Sequence, residues 1–227
     1  MTMDWDYSSW MERKRNIYLF RDTDHTSARI QRSLLSEIER LACNGSLSVI
    51  VVEGIIGTFP VQFAPGQLPR DLENALERAA GNSRWEQMRL LAYRCRQPIA
   101  SRQFSISGAE NSFLLTEHRK IRSRIHELGR KWVEEGLTDT EKIESSYLMN
   151  RGEPFFVNKR SRFAVDLIFR MEQPSSGHIG LLYGDGHYSE IIDGLTEQGI
   201  GYCTFFPGEP DDRVAKLKEM RKKLSNP

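Results

Sequence analysis

The chain has 227 residues, enough to bury a sizeable core in one large domain or two small ones. At 39% hydrophobic and 28% charged, its composition is that of a globular protein and excludes a disordered chain. Its 32 basic residues nearly cancel its 31 acidic ones, so no global field draws it to nucleic acid or an anionic membrane.

Three cysteines, Cys43, Cys95 and Cys203, form no CxxC pair and are odd in number. That argues against a disulfide framework and a zinc-thiolate knuckle. No stretch approaches the ~18–20 apolar residues needed to span a bilayer, and residues 1–15 lack the apolar core of a signal peptide. A cytoplasmic location is expected.

In chain order, residues 16–20 (NIYLF) are short, apolar and β-prone, and read as a buried strand interrupted at 21–25. A helix follows, with Ile30, Leu34, Leu35, Ile38 and Leu41 on one face and Asn44-Gly45 to end it. Residues 48–53 are apolar on both faces, as in the middle of a parallel sheet. A Gly- and Pro-rich loop over 54–69 leads to two expected helices, 71–80 and 84–94, and a third strand over 103–107, closed by Gly108.

A long charged helix is predicted over 112–135. Thr138 and Glu141 have capping-box spacing and start another, ending near Gly152. Ser161 reads as the N-cap of a helix that turns Phe163, Ala164, Leu167, Ile168 and Met171 inward. Residues 178–183 read as a strand, 184–187 as a turn, 188–198 as a helix and 201–206 as a strand, which implies a parallel crossover unit. A basic helix over 211–224 ends the chain. The fold class is α/β: one domain over 1–227, with a central, largely parallel or mixed sheet flanked by helices. Segments 16–58 and 178–207 are two pseudo-repeated strand-turn-His-helix-strand units, and a helical insertion separates them at about 70–150.

Four chemically capable side chains fall at strand ends in this reading: His25, Glu53, Glu110 and His187. Open α/β sheets bind ligands outside the carboxyl ends of their strands, where loops and helix amino termini meet. Burying an unpaired carboxylate at the end of an apolar strand is costly, which points to a partner for Glu53. Asp22 and Asp185 read as turn formers. His118 and His126, in a helix dense with arginine and glutamate, read as a solvated face. The carboxyl-terminal basic run reads as an exposed helix, not as a nucleic-acid site.

At these residues the sequence resembles the TraB/Tiki superfamily, which groups pheromone-shutdown proteins, Tiki-type metalloproteases, erythromycin esterases and ChaN-type haem-binding lipoproteins. Its mark is a pair of GxxH motifs with a glutamate after the second strand. Gly184-Asp185-Gly186-His187 matches the second motif, and Val52-Glu53-Gly54 matches the glutamate motif. Asp22-Thr23-Asp24-His25 keeps the first histidine but has Asp in place of Gly. Gly108-Ala109-Glu110-Asn111 and Arg160-Ser161-Arg162-Phe163-Ala164 resemble intermediate motifs in which an acidic residue and an arginine are usual.

Such a site implies three chemistries. His25, Glu53 and His187, with Glu110 nearby, have the donor types to hold Mn²⁺, Fe²⁺ or Zn²⁺ with a position left for water, as the Tiki resemblance favours. The esterase resemblance implies a metal-free version, in which one histidine is general base toward water, a glutamate orients it, and Arg160 steadies an oxyanion or a substrate carboxylate. The third is a non-catalytic regulatory protein that binds haem, a metal or another ligand on the same scaffold. The expected partner is a small-molecule or peptide substrate, and a homodimer stays open.

Overall fold

The computed structural model describes residues 4–11, 15–25, 27–56, 58–59 and 104–209. The expected helices at 71–80, 84–94 and 211–224 lie outside these residues. A seven-stranded sheet organises the rest: β1 (Asp4–Asp6), β2 (Asn16–Asp22), β3 (Leu47–Val52), β4 (Thr58–Phe59), β5 (Ser105–Gly108), β6 (His178–Gly184) and β7 (Gly201–Phe206). The order is β1-β7-β2-β6-β3-β5-β4, and β7, β2, β6, β3 and β5 run parallel. The edge strands β1 and β4 run antiparallel to their neighbours. β1 has no counterpart in the sequence reading. It docks through Trp5, whose ring packs against Tyr18, Phe20 and Phe205 and whose Nε1–H donates to Glu37 at 2.8 Å.

Alternation along the central strands divides the core. Tyr18 and Phe20 face α1 (Ala28–Cys43), which lays down Ile30, Leu34, Ile38 and Leu41 at helical spacing. Ser27 caps its amino end, and Gly45, at φ 78°, follows its carboxyl end. Ile17 and Leu19 face the other side, where they meet Ala164 and Ile168 with Ile191 and Leu195 of α5 (Tyr188–Glu197). The central strands are thus covered on both faces, which is why they read as apolar runs.

Between β5 and β6 the chain is helical: α2 (Ser112–Glu134), α3 (Asp139–Tyr147), a π-helical turn at Leu148–Gly152 and α4 (Glu153–Arg170). The capping box of Thr138 and Glu141 forms as the spacing predicts. The expected break near Gly152 does not occur. Pro154 has no N–H to give a carbonyl four residues back, and the wide π-turn just before it absorbs the ring. Ser161 is accordingly no N-cap. It is buried in the middle of α4, and its hydroxyl donates to the Val157 carbonyl at 2.8 Å.

Gly108 ends β5 because the backbone of Ile55 lies against it. A Cβ there would fall well inside contact distance of the Ile55 carbonyl and 2.8 Å from the Ile56 nitrogen. That closeness lets the Ile55 carbonyl accept the Glu110 N–H at 3.1 Å and fixes where Glu110 emerges. Gly108→Ala is expected to cost about 1–3 kcal/mol in urea unfolding. A loss under about 0.5 kcal/mol would mean that the loop moves away freely.

Candidate functional site

The parallel strands deliver their carboxyl ends to one edge, where the named residues meet. Glu53 directly follows β3, and its N–H bonds the Leu182 carbonyl of β6 at 2.9 Å. Glu110 follows β5, His25 follows β2, and His187 closes a 3₁₀ turn after β6. Arg160 reaches in from α4, where Arg160, Ser161, Ala164, Val165 and Ile168 recur at helical spacing on the buried face.

Arg160 is the hub. Its Nε donates to Glu110 Oε2 at 3.0 Å, and its Nη2 to Glu53 Oε1 at 2.9 Å and to Glu110 Oε1. Its Nη1 donates to His118 Nδ1 at 2.6 Å and lies 3.5 Å from His187 Nε2. A guanidinium has five N–H donors, and these partners engage all of them. Glu110 also accepts from the Gly54 N–H at 3.1 Å and from the Tyr183 hydroxyl at 3.3 Å. Burial pulls the Arg160 pKa down, but Glu110 and Glu53 outweigh it and raise it. Burial would also raise the Glu53 carboxyl, yet His187, His25, Arg160 and the Gly184 N–H together hold it below the usual range.

The hydrogen bonds define the tautomers of the histidines. The His25 Nδ1 lies 2.7 Å from Asp22 Oδ2, and this carboxylate has no solvent exposure and also accepts from Gln31 at 2.8 Å. Nδ1 therefore carries the proton, and Nε2 presents its lone pair. Gly184 makes room for this ring: a Cβ there would lie 3.0 Å from His25 Nε2 and 2.9 Å from Glu53 Oε2. His187 Nδ1 lies 2.8 Å from Ser161 Oγ, whose own proton goes to Val157, so Nδ1–H is the donor and Nε2 faces Glu53 Oε1 at 3.5 Å. Burial, aided by Arg160, lowers the His187 pKa.

Two residues depart from their expected places. Asp22 is the buried end of β2 and holds His25, so it is not a turn former. His118 is only 3% exposed and joins the site through Arg160, unlike His126, which stays on the exposed face. The signal for His118 was its spacing, since it shares a stripe of α2 with Leu115, Ile125 and Leu128. Because Arg160 donates to Nδ1, the His118 proton sits on Nε2, which is buried and has no hydrogen-bond partner among the described residues.

His118 carries a pH signature. Burial first, then Arg160, lowers its pKa from 6.5 to about 4. Between those values the unfolded chain binds the proton and the folded one does not, so stability is full above 6.5 and falls as the pH drops. The loss is on the order of 3 kcal/mol. His118→Asn, which keeps an oxygen acceptor for Arg160 and cannot titrate, is expected to flatten this part of the stability profile. An unchanged slope in urea midpoints between pH 4.5 and 7 would contradict the assignment.

Above these groups lies a cavity of about 640 Å³. Its lining combines His25, Glu53, His118, Arg160 and His187 with the apolar side chains of Ile125, Leu128, Trp132, Leu137 and Met149. The His25, Glu53 and His187 set does not fit a divalent ion as it stands. Glu53 Oε1 and His187 Nε2 turn toward the Arg160 cation, and Glu53 Oε2 accepts the Gly184 N–H at 2.6 Å. Among the described residues no cluster of three or more His, Cys, Asp or Glu is arranged to hold a metal. No helix among them is long and apolar enough to cross a membrane. Compared with protein-family models, with curated proteins and with solved structures, the chain has no significant match.

Proposed function

We propose that this chain is a hydrolase of the TraB/Tiki type that acts on an ester-like or peptide small molecule, with His25 as general base toward water. The observation that carries the reading is the Asp22–His25 pair at the edge of the cavity. A buried carboxylate holds Nδ1–H at 2.7 Å, which leaves the ring's lone pair on Nε2, beside Glu53. Its logic is that of a serine hydrolase's His–Asp pair, with water in place of the serine.

In the reaction, Nε2 of His25 takes a proton from water as the water oxygen bonds to the substrate carbonyl carbon. Asp22 and the ionised Glu53 stabilise the imidazolium that forms. The same proton then passes to the leaving oxygen or nitrogen as its bond to carbon breaks. Arg160 acts as a positioning residue, because its donors are engaged by Glu53, Glu110, His118 and His187. The apolar side chains that α2 adds to the lining, Ile125, Leu128 and Trp132, suit a substrate with an apolar flank next to its scissile carbonyl.

Saturable turnover of 4-nitrophenyl acetate or butyrate by the full chain tests this. His25→Ala, folded by circular dichroism, is expected to lose about 100-fold or more of kcat/KM. Wild-type rates in that variant would overturn the reading. A blank across esters and peptides, with a ligand whose binding needs both His25 and His187, would replace it with the binding-protein alternative.

A further inference from the structure

We infer that His118 is the oxyanion donor of this site, with its Nε2–H directed to the substrate carbonyl oxygen as negative charge develops there. The inference rests on the hydrolase reading above and adds a residue that none of the motifs contains.

Several independent observations meet on this ring. His118 lines the cavity, yet the residue is only 3% exposed. Arg160 Nη1 occupies its Nδ1 at 2.6 Å, so the proton is confined to Nε2 and the ring cannot swap tautomers without losing that bond. Phe156 stacks near one face of the imidazole, at 6.2 Å and 11° between planes, which leaves the ring edges for polar work. Nε2 is buried without an acceptor among the described residues. Buried donors are almost always satisfied, and an unpaired one in a cavity wall is accounted for when a ligand supplies the acceptor. Nε2 is itself covered, so the carbonyl oxygen reaches it as the wall gives way to substrate.

The neighbours exclude the other obvious donors. Arg160, whose resemblance role includes oxyanion binding, has its N–H groups committed to protein partners. His187 commits its Nδ1–H to Ser161. The neutral state also suits the task, since an imidazole fixed in one tautomer donates a hydrogen bond without losing its proton. Burial and Arg160 keep His118 in that state down to about pH 4.

The step balances. As the water oxygen bonds to carbon, the carbonyl π pair moves to oxygen, which accepts from His118 Nε2–H, while His25 takes the water proton. On collapse the pair returns, the bond from carbon to the leaving atom breaks, and His25 gives its proton to that atom. His118 ends as it began.

His118→Asn tests this in the full chain. Its side-chain oxygen takes the place of Nδ1 toward Arg160, but nothing replaces Nε2–H. With 4-nitrophenyl butyrate, kcat is expected to fall about 10²-fold with KM nearly unchanged. Ethyl phenylphosphonate, a monoanion shaped like the tetrahedral intermediate, is expected by calorimetry to bind the variant at least about tenfold more weakly than wild type. Values within about twofold of wild type in both assays would overturn the role of His118 while leaving the hydrolase reading intact. If His25→Ala keeps full turnover, the hydrolase reading falls. Phosphonate binding needs no turnover and still decides on His118: equal affinities, or no binding by wild type, overturn it.

Discussion

Replacing Arg160 with methionine is expected to destabilise the protein by about 3–5 kcal/mol, read from urea unfolding at pH 7. The arginine side chain is 4% exposed and the Glu110 side chain not at all, so the substitution strands a carboxylate out of water with its counter-charge gone. Glu53 loses its Nη2 donor in the same step, and His118 loses the proton donor that fixes its tautomer. The sign of the pH dependence separates lost charge from lost packing. In Arg160→Met the Glu53 carboxyl loses one of the charges that hold it below the usual range, so lowering the pH toward 5 is expected to shrink the deficit relative to wild type. Adding Glu110→Gln to that variant removes one stranded charge and is expected to restore part of the stability, a non-additivity that a double-mutant cycle reads directly. A midpoint within about 0.5 kcal/mol of wild type would mean that the guanidinium is not the hub.

The parts of this molecule legible in the sequence are those where one physical signal dominates. The strands over 16–22, 47–52 and 178–184 are apolar on both faces because helices cover both sides of the sheet. α1 was readable from its stripe, and the Thr138 box from its spacing. His25, Glu53, Glu110 and His187 could be placed at one edge because parallel strands end together, and the structure brings them there with Arg160.

What was not legible depended on tertiary partners. His118 sits among Glu117, Arg119, Lys120 and Arg122, and local composition hid a stripe that packs inward only because α4 lies across it. Asp22 looks like a turn residue until Gln31, nine positions on, and His25 both converge on its carboxylate. Ser161 resembles an N-cap, but a π-turn carries the helix past Pro154 and leaves the hydroxyl to orient His187. The donor types that the metal expectation rests on were legible at the strand ends. Arg160 competes for those donors from a separate helix, which strand-end reasoning does not see.

Catalysis here depends on Asp22 holding His25 as a base. In Asp22→Asn the amide can turn its NH₂ toward the imidazole, which moves the ring proton to Nε2 and removes the lone pair that accepts from water. The direct measurement is kcat for 4-nitrophenyl butyrate in wild type and Asp22→Asn at pH 7, with urea midpoints taken in parallel. The account predicts a fall in kcat of about 10²–10⁴-fold in a variant that still folds. Turnover undiminished in a folded Asp22→Asn would contradict it.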